Sequence, residues 1–129
     1  MSDIEVTKEF TFDSAHYLPG HPGKCAAVHG HTYRMQVTLA CDPVCMTGGM
    51  VLDFGDLSGY VHDEIIRRVD HKLLNEVLGY VPTAENMAID FFGRLESAID
   101  SLPLGGGKRT RLASVRLWET PTSYAEYRG

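Results

Sequence analysis

Two alternating segments separated by a long loop are the strongest constraint on the fold of this chain. Apolar side chains occupy alternate positions in Ile4, Val6, Phe10 and Phe12, with an interruption at Lys8, and again in Tyr33, Met35, Val37, Leu39 and Cys41. A period of two is typical of a strand that buries one face. The loop between them, within residues 16–31, is rich in proline and glycine. Loops of this length in compact domains commonly carry function.

Helical periodicity follows in the middle of the chain. Asp56 is the predicted N-cap of a first helix that ends near Asp70, and apolar residues recur along it at Leu57, Val61, Ile65 and Val69. Thr83, directly after Pro82, is the predicted N-cap of a second helix. The buried stripe of this helix comprises Ala88, Phe91, Phe92, Leu95 and Ile99.

The last part of the chain returns to alternation. Ala113, Val115 and Leu117 share one parity with Glu119, and a turn at Pro121 precedes a short strand from Ser123 to Tyr127. The predicted order is therefore ββααββ, which is typical of an α+β domain with an antiparallel sheet. For a chain of 129 residues we expect a single domain, residues 1–129, with one core.

Charge and cysteine content narrow the class of function. Lys and Arg number 12 against 17 Asp and Glu, a net charge of −5, without the basic cluster that nucleic-acid binding requires. The sequence has no apolar leader and no run of 18 apolar residues, so we expect no membrane partner. Cys25, Cys41 and Cys45 are odd in number and form no C-x-x-C motif, which fits free thiols in a reducing cytoplasm. We expect a cytoplasmic protein that acts on a small molecule or binds a protein partner.

A histidine pair at the start of the second strand is the clearest chemical motif. His29 and His31 are two residues apart, so on a strand both imidazoles point to the same face. His16, at the end of the first strand, is the candidate third ligand. Three histidines without a fourth protein ligand are the arrangement of an open catalytic zinc site. The alternative is a surface H-x-H without metal. His21 and His62 are interpreted as a loop residue and a helix-surface residue.

Cys25 precedes His29 by four residues and follows Lys24. A thiol near a metal and a cationic side chain has its thiolate favoured, which suits a base or a nucleophile. Two alternatives stay open: an inert half-buried thiol, or a fourth zinc ligand that closes the site. Cys41 and Cys45 are interpreted as inert.

Asp70 and His71 follow the first predicted helix. Both the helix C-terminus and the neighbouring carboxylate favour a protonated imidazole, so His71 is a candidate proton donor. The alternative is a simple helix cap.

Glu119 is predicted to point to an apolar face, where an unpaired carboxylate is costly. An aminopyrimidine edge, which presents adjacent N–H donors, would match it in bidentate fashion. The alternative is a strand-end glutamate that faces solvent. Glu85, at the start of the second helix, can also be explained by the helix dipole.

These motifs together resemble the 6-pyruvoyl-tetrahydropterin synthase family over nearly the whole chain. The resemblance rests on His16, Cys25-Ala26-Ala27-Val28-His29-Gly30-His31, Asp53-Phe54, Asp70-His71-Lys72-Leu73-Leu74-Asn75, Pro82-Thr83-Ala84-Glu85-Asn86 and Trp118-Glu119-Thr120. The C-x3-H-G-H spacing resembles the 6-carboxy-tetrahydropterin synthase branch, which serves queuosine and 7-deazapurine biosynthesis. The pyruvoyl enzymes place the cysteine further from the H-G-H.

The resemblance implies roles for individual residues. His16, His29 and His31 would hold zinc, and Cys25 would be the catalytic base. Asp70 and His71 would form a proton-transferring pair, Glu119 would anchor the pterin ring, and Glu85 with Thr83 would line the pterin pocket across a subunit boundary. The substrate would be 7,8-dihydroneopterin triphosphate. The sequence offers Lys24, Arg34, Lys108 and Arg109 for the triphosphate without choosing among them.

The implied fold is the tunnelling fold, in which subunits join their sheets into a barrel with the helices outside, as a hexamer of two trimers. Closure into a barrel would also remove the open sheet edges of so short a chain. Two other functions stay open. One is the sister reaction, which retains the side chain as 6-pyruvoyl-tetrahydropterin. The other is a non-catalytic zinc- or pterin-binding module in which Cys25 completes a closed metal site.

Overall fold

Four antiparallel strands form one sheet, in which each strand lies beside the one that precedes it in the chain. The computed structural model describes residues 2–102 and 110–129. The strands run over Ile4–His16 (β1), His29–Cys41 (β2), Arg111–Thr120 (β3) and Ser123–Tyr127 (β4). The α+β class and the antiparallel sheet are confirmed. Both long strands reach further than the apolar alternation alone predicts, because β1 continues to His16 and β2 begins at His29.

The helices lie between β2 and β3 in the chain. A continuous helical segment comprises Phe54–Val61 (α1), a π turn at His62–Ile66 and Arg67–Val69 (α2). The predicted end near Asp70 is confirmed, but the predicted cap is wrong. Asp53 lies in extended backbone just before α1 and accepts hydrogen bonds from the N–H groups of Gly55 and Asp56, so Asp56 lies inside the first turn.

Two further helices complete the layer. Leu74–Val77 (α3) is a single turn, too short for an apolar period to reveal it. Ala84–Asp100 (α4) begins as predicted after Thr83, whose hydroxyl accepts from the N–H of Asn86. Its apolar stripe is buried and packs against β3 and β4. No helix in the described part of the chain is long and apolar enough to cross a membrane.

The core lies between the helices and one face of the sheet. The five alternating residues of β2 from Tyr33 to Cys41 are all fully buried, as predicted. The alternation predicted for β3 is wrong at the start of the strand, where the sequence pattern predicts Ala113 on the same face as Val115 and Leu117. A register shift in the pairing of β2 with β3 at Thr38 and Leu39 turns Leu112 into the core and leaves Ala113 half-buried. Beyond the shift, Val115 and Leu117 are buried as expected.

Candidate metal centre and the clefts beside it

The pairing of β1 with β2 brings three histidines together on the helix-covered face of the sheet. His16 lies directly opposite His29, and Ser14 lies opposite His31. The imidazole centroids are 4.6 Å apart for His16 and His29, 5.1 Å for His16 and His31, and 4.9 Å for His29 and His31. The long loop therefore connects the end of β1 to the start of β2 so that His16 and His29, at its two ends, lie side by side.

Backbone carbonyls orient two of these rings. Nδ1 of His16 lies 2.8 Å from the carbonyl oxygen of Pro82, and Nδ1 of His29 lies 2.8 Å from that of Ala27. A carbonyl oxygen only accepts, so each Nδ1 carries the proton and each Nε2 keeps its lone pair. This arrangement, in which the second ring nitrogen donates to a carbonyl, is the one that orients metal-binding histidines.

The carboxylate of Glu119 joins the group from β3. Its Oε1 lies 3.1 Å from Nε2 of His31 and 3.9 Å from Nε2 of His16. Despite the short distance, Nε2 of His31 has no hydrogen-bond partner among the described residues, and neither has the buried Nε2 of His16. The donor atoms of the three histidines and Glu119 all lie within 4.8 Å of one another.

The surroundings favour the neutral imidazole of His31 and the neutral phenol of Tyr33. Burial lowers the pKa of His31, and His16 and His29 lower it further, while the charge of Glu119 opposes the shift. Tyr33 is fully buried, with its hydroxyl oxygen 3.3 Å from Nδ1 of His16. Burial, with the Glu119 charge, raises the pKa of Tyr33 well above its ordinary value.

This donor set fits a divalent transition metal. Neutral imidazole nitrogens and a carboxylate oxygen are ligand types that zinc accepts. Nε2 of His16 is buried without a partner, and such an orphan is costly unless something absent from the chain satisfies it. The residues present therefore match a bound cation better than they match an empty polar pocket.

Asp70 and His71 are hydrogen-bonded to the edge of β1, so they do more than end the preceding helix. The N–H of His71 donates to the carbonyl of Asp13 over 2.6 Å, and the N–H of Asp13 donates to Oδ1 of Asp70 over 3.0 Å. Nδ1 of His71 lies 3.0 Å from Oδ2 of Asp70. His71 takes a positive φ of 60°, which is unusual for a residue with a Cβ. The strand edge therefore fixes both the backbone and the ion pair.

A cleft of about 610 Å³ has His71 and one member of the histidine group in its lining. His31 and His71 both line it, together with Asp13, Thr32 and the backbone of β1. The His71 side chain is 77% exposed, so it is available to a bound molecule. The structure thus places the predicted proton-transferring histidine and one predicted metal ligand on the same cleft.

Cys25 is not brought into the donor group. It lies half-buried in a 3-10 turn at Lys24–Ala26, with all three cysteines free. In the described residues the group that could share an ion contains no cysteine, and Cys25 is not among the residues that line the cleft of His31 and His71. The alternative of a closed site with Cys25 as fourth ligand therefore has no geometric support.

A second cavity, of about 500 Å³, has Glu119 in its lining. Glu85, exposed in the first turn of α4, and Glu119 both line it. Thr83, the cap of the same helix, is half-buried just before Glu85. The three residues that the resemblance assigns to the pterin pocket are therefore close in the fold, and two of them share this cavity.

The other candidate residues lie apart from the donor group. His21 and His62 are exposed in a loop and on a helical segment, as predicted. Cys41 is buried, which raises the pKa of its thiol, and this fits an inert role. Arg34 stacks 4.4 Å from the Trp118 ring and pairs with Glu9, so its charge is already engaged. Lys108 and Arg109 lie outside the described residues.

Two contributions were not predicted from the sequence. Asp13 holds the segment at Asp70 and His71 through its backbone, and its carboxylate accepts a 2.5 Å hydrogen bond from the Thr32 hydroxyl. Pro82 orients His16 through its carbonyl oxygen. Backbone contacts of this kind leave no side-chain signature in a sequence, although Pro82 itself belongs to one of the quoted motifs.

Comparison with known proteins agrees with this geometry. A family model described as 6-pyruvoyl tetrahydropterin synthase matches residues 5–129. The chain belongs to the 6-pyruvoyl tetrahydropterin synthase family. It is 36% identical to a Haemophilus influenzae protein named 6-carboxy-5,6,7,8-tetrahydropterin synthase, over 96% of this chain and 98% of that protein.

Other members of the 6-pyruvoyl tetrahydropterin synthase family show similar agreement. A Synechocystis protein, also named 6-carboxy-5,6,7,8-tetrahydropterin synthase, is 40% identical over 95% of this chain and 91% of its own length. The solved structure of Caenorhabditis elegans 6-pyruvoyl tetrahydropterin synthase superposes with a TM-score of 0.80 at 29% identity, over 100% of this chain and 97% of that one.

Proposed function

We propose that this chain is a zinc-dependent 6-carboxy-5,6,7,8-tetrahydropterin synthase. It converts 7,8-dihydroneopterin triphosphate and water to 6-carboxy-5,6,7,8-tetrahydropterin, acetaldehyde and triphosphate, a step in queuosine and 7-deazapurine biosynthesis. The names of the bacterial relatives and the C-x3-H-G-H spacing both favour this reaction over the sister reaction that keeps the side chain.

The observation that carries the proposal is a cluster of three imidazoles in which Nε2 of His16 and Nε2 of His31 have no hydrogen-bond partner among the described residues. His16, His29 and His31 are the ligands that we propose for zinc, because their rings meet at 4.6–5.1 Å and two of their tautomers are set by carbonyls. When bound, the ion supplies Lewis acidity toward the hydroxyl groups of the substrate side chain. No nicotinamide or flavin is needed, since ring reduction is balanced by side-chain oxidation.

Proton transfer is assigned to residues beside this centre. His71, held by Asp70 at 3.0 Å, is the proton donor on the exposed side of the cleft. Asp70 keeps the imidazole oriented through the contact between its Oδ2 and Nδ1 of His71. Cys25 is the proposed base. Because Cys25 is not among the lining residues of the His31 and His71 cleft within one chain, we propose that these groups meet at a site completed by a neighbouring subunit.

The pterin ring is assigned to the cavity between Glu85 and Glu119. A carboxylate accepts two parallel hydrogen bonds from the adjacent N–H donors of an aminopyrimidine edge. Thr83 supports this wall by fixing the first turn of α4. The ring would then lie beside the histidine group, with its side chain directed to the metal.

Assembly would complete the site. The outer edge of β1 is covered only near residues 13–15, where Ala15 bridges Leu73, and β4 is the other edge of the sheet in the described part of the chain. Open edges invite pairing with another chain. We propose that subunits join at these edges into the barrel of the tunnelling fold, as a hexamer of two trimers, which sedimentation equilibrium can test.

Product analysis by mass spectrometry tests the function. The zinc-loaded protein is incubated anaerobically with 7,8-dihydroneopterin triphosphate. We expect 6-carboxy-tetrahydropterin and one acetaldehyde per triphosphate released. A 6-pyruvoyl product would assign the protein to the sister reaction, and unchanged substrate at full zinc loading would favour a binding module. His29→Ala, which removes one proposed ligand, is the inactive control.

A further inference from the structure

Glu119 lies close to the Nε2 atoms of His16 and His31, and a role in binding the pterin ring does not by itself explain this position. Its carboxylate oxygen is an acceptor, and so is Nε2 of His16, whose proton is held on Nδ1 by the Pro82 carbonyl. These two acceptors lie 3.9 Å apart, and the same oxygen lies 3.1 Å from Nε2 of His31 without a hydrogen bond. Acceptors that face one another repel unless a cation lies between them.

The distances match those between ligands of one small ion. Zinc–nitrogen and zinc–oxygen bonds of about 2.0–2.2 Å place tetrahedral ligand atoms about 3.3–3.5 Å apart. The two separations from Glu119, 3.1 and 3.9 Å, bracket this range. All four donor atoms also lie within 4.8 Å of one another.

The backbone at Glu119 is irregular where its side chain enters the group. Trp118 pairs with Tyr124 and Thr120 pairs with Ser123, so the register shifts across Glu119 and leaves it without a direct partner in β4. A bulge of this kind redirects a side chain and recurs beside active sites. The Glu119 side chain is 27% exposed on the Glu85 cavity, which leaves it room to move.

We propose that Glu119 is the fourth ligand of the ion in the substrate-free protein. The resting site is then closed by one carboxylate and three imidazoles, and Glu119 leaves the ion when a substrate occupies the cavity. Glu85, which lines the same cavity outside the donor group, would be the carboxylate left free to receive the pterin edge from the start. The inference rests on the proposed function for the identity of the ion.

The test uses the substrate-free protein and two matched glutamate variants. Zinc affinity is measured by competition with a chromophoric chelator, and coordination by the d–d absorption of the cobalt-substituted protein. We expect Glu119→Gln and Glu119→Ala to weaken zinc binding at least about tenfold, and Glu119→Ala to change the cobalt spectrum. Glu85→Gln, in the same cavity, should leave affinity and spectrum unchanged.

The outcomes separate this inference from the proposed function. Unchanged affinity and spectrum in both Glu119 variants would overturn the fourth-ligand role, even if the wild type makes the expected product. Loss of affinity in Glu119→Ala with partial recovery on adding acetate would support it, even if the wild type proved inactive. Equal effects of the Glu85 and Glu119 substitutions would also overturn it, since only Glu119 approaches the histidines.

Discussion

Nδ1 of His16 donates a 2.8 Å hydrogen bond to the carbonyl oxygen of Pro82, which joins the end of β1 to the start of α4. His16 is wholly buried, so this contact fixes both the tautomer of a proposed ligand and the position of the helix that carries Thr83 and Glu85. The candidate metal centre and the proposed ring pocket are therefore structurally connected through this hydrogen bond, and what stabilises one supports the other.

Removal of the metal is expected to destabilise the fold. A ligand that binds only the native state adds about 2.7 kcal/mol when present at 100 times its Kd. We expect a strong chelator to lower the Tm of the wild type measured by calorimetry. Without chelator, His29→Ala should already have the lower Tm of the chelator-treated wild type, and adding the chelator should not change the Tm of this variant. An equal response of both proteins would argue against a metal held by His29.

Cys25→Ala is expected to separate catalysis from metal binding. If Cys25 is the base, turnover should fall by about 10²–10⁴-fold. Zinc content, measured by atomic emission, should stay at the wild-type level because Cys25 lies outside the donor group. Loss of zinc in this variant would instead make Cys25 a ligand, and full activity would remove its role as base.

Substitutions of His71 are expected to distinguish its side chain from its backbone. The φ of 60° is tolerated by asparagine but is strongly disfavoured for a β-branched residue. We expect His71→Asn to keep wild-type stability and zinc content while turnover falls by about 10²–10⁴-fold. His71→Val should be less stable than His71→Asn by about 1–2 kcal/mol in urea denaturation. Equal stability of the two variants would contradict the left-handed conformation.

Asp70 is expected to contribute to stability in a pH-dependent way. The N–H of Asp13, with added help from His71, lowers the pKa of the Asp70 carboxyl below its ordinary value. Its folded pKa lies below its unfolded pKa, so the stabilisation is complete above the ordinary value and is lost as the pH falls through the lowered one. Asp70→Asn should therefore flatten the acid side of the stability profile measured by urea denaturation from about pH 6 to about pH 3. A profile parallel to the wild type would contradict this.

Thr83 is expected to stabilise α4 through its cap. The hydroxyl accepts from the N–H of Asn86 over 3.1 Å, and loss of such a cap costs about 1 kcal/mol. Thr83→Ala should lower the free energy of unfolding by about that amount, and Thr83→Ser should restore it. If Thr83→Ser restores stability but not KM, the methyl group itself contributes to the substrate pocket.

Much of the fold could be predicted from local pattern. Alternation in β2, the stripe along α4 and the cap at Thr83 are properties of consecutive residues, and burial follows directly from them. The prediction failed at two places for different reasons. Asp53 rather than Asp56 caps α1, a local error, because the two aspartates lie three residues apart and both suit an N-cap. The register shift opposite Thr38 decides that Leu112 is buried, and this depends on pairing with a distant strand.

The sequence by itself determined which residues can carry the chemistry: three histidines at strand ends, an Asp-His pair and a glutamate of inward parity. The tertiary structure decided how they act together. Strand pairing places His16 opposite His29, the edge of β1 holds His71 at a positive φ, and the pairing of β3 with β2 brings the Glu119 carboxylate to 3.1 Å from Nε2 of His31. Residue type and spacing are local, whereas the distance between two donor atoms depends on strand register and backbone hydrogen bonds formed across the chain.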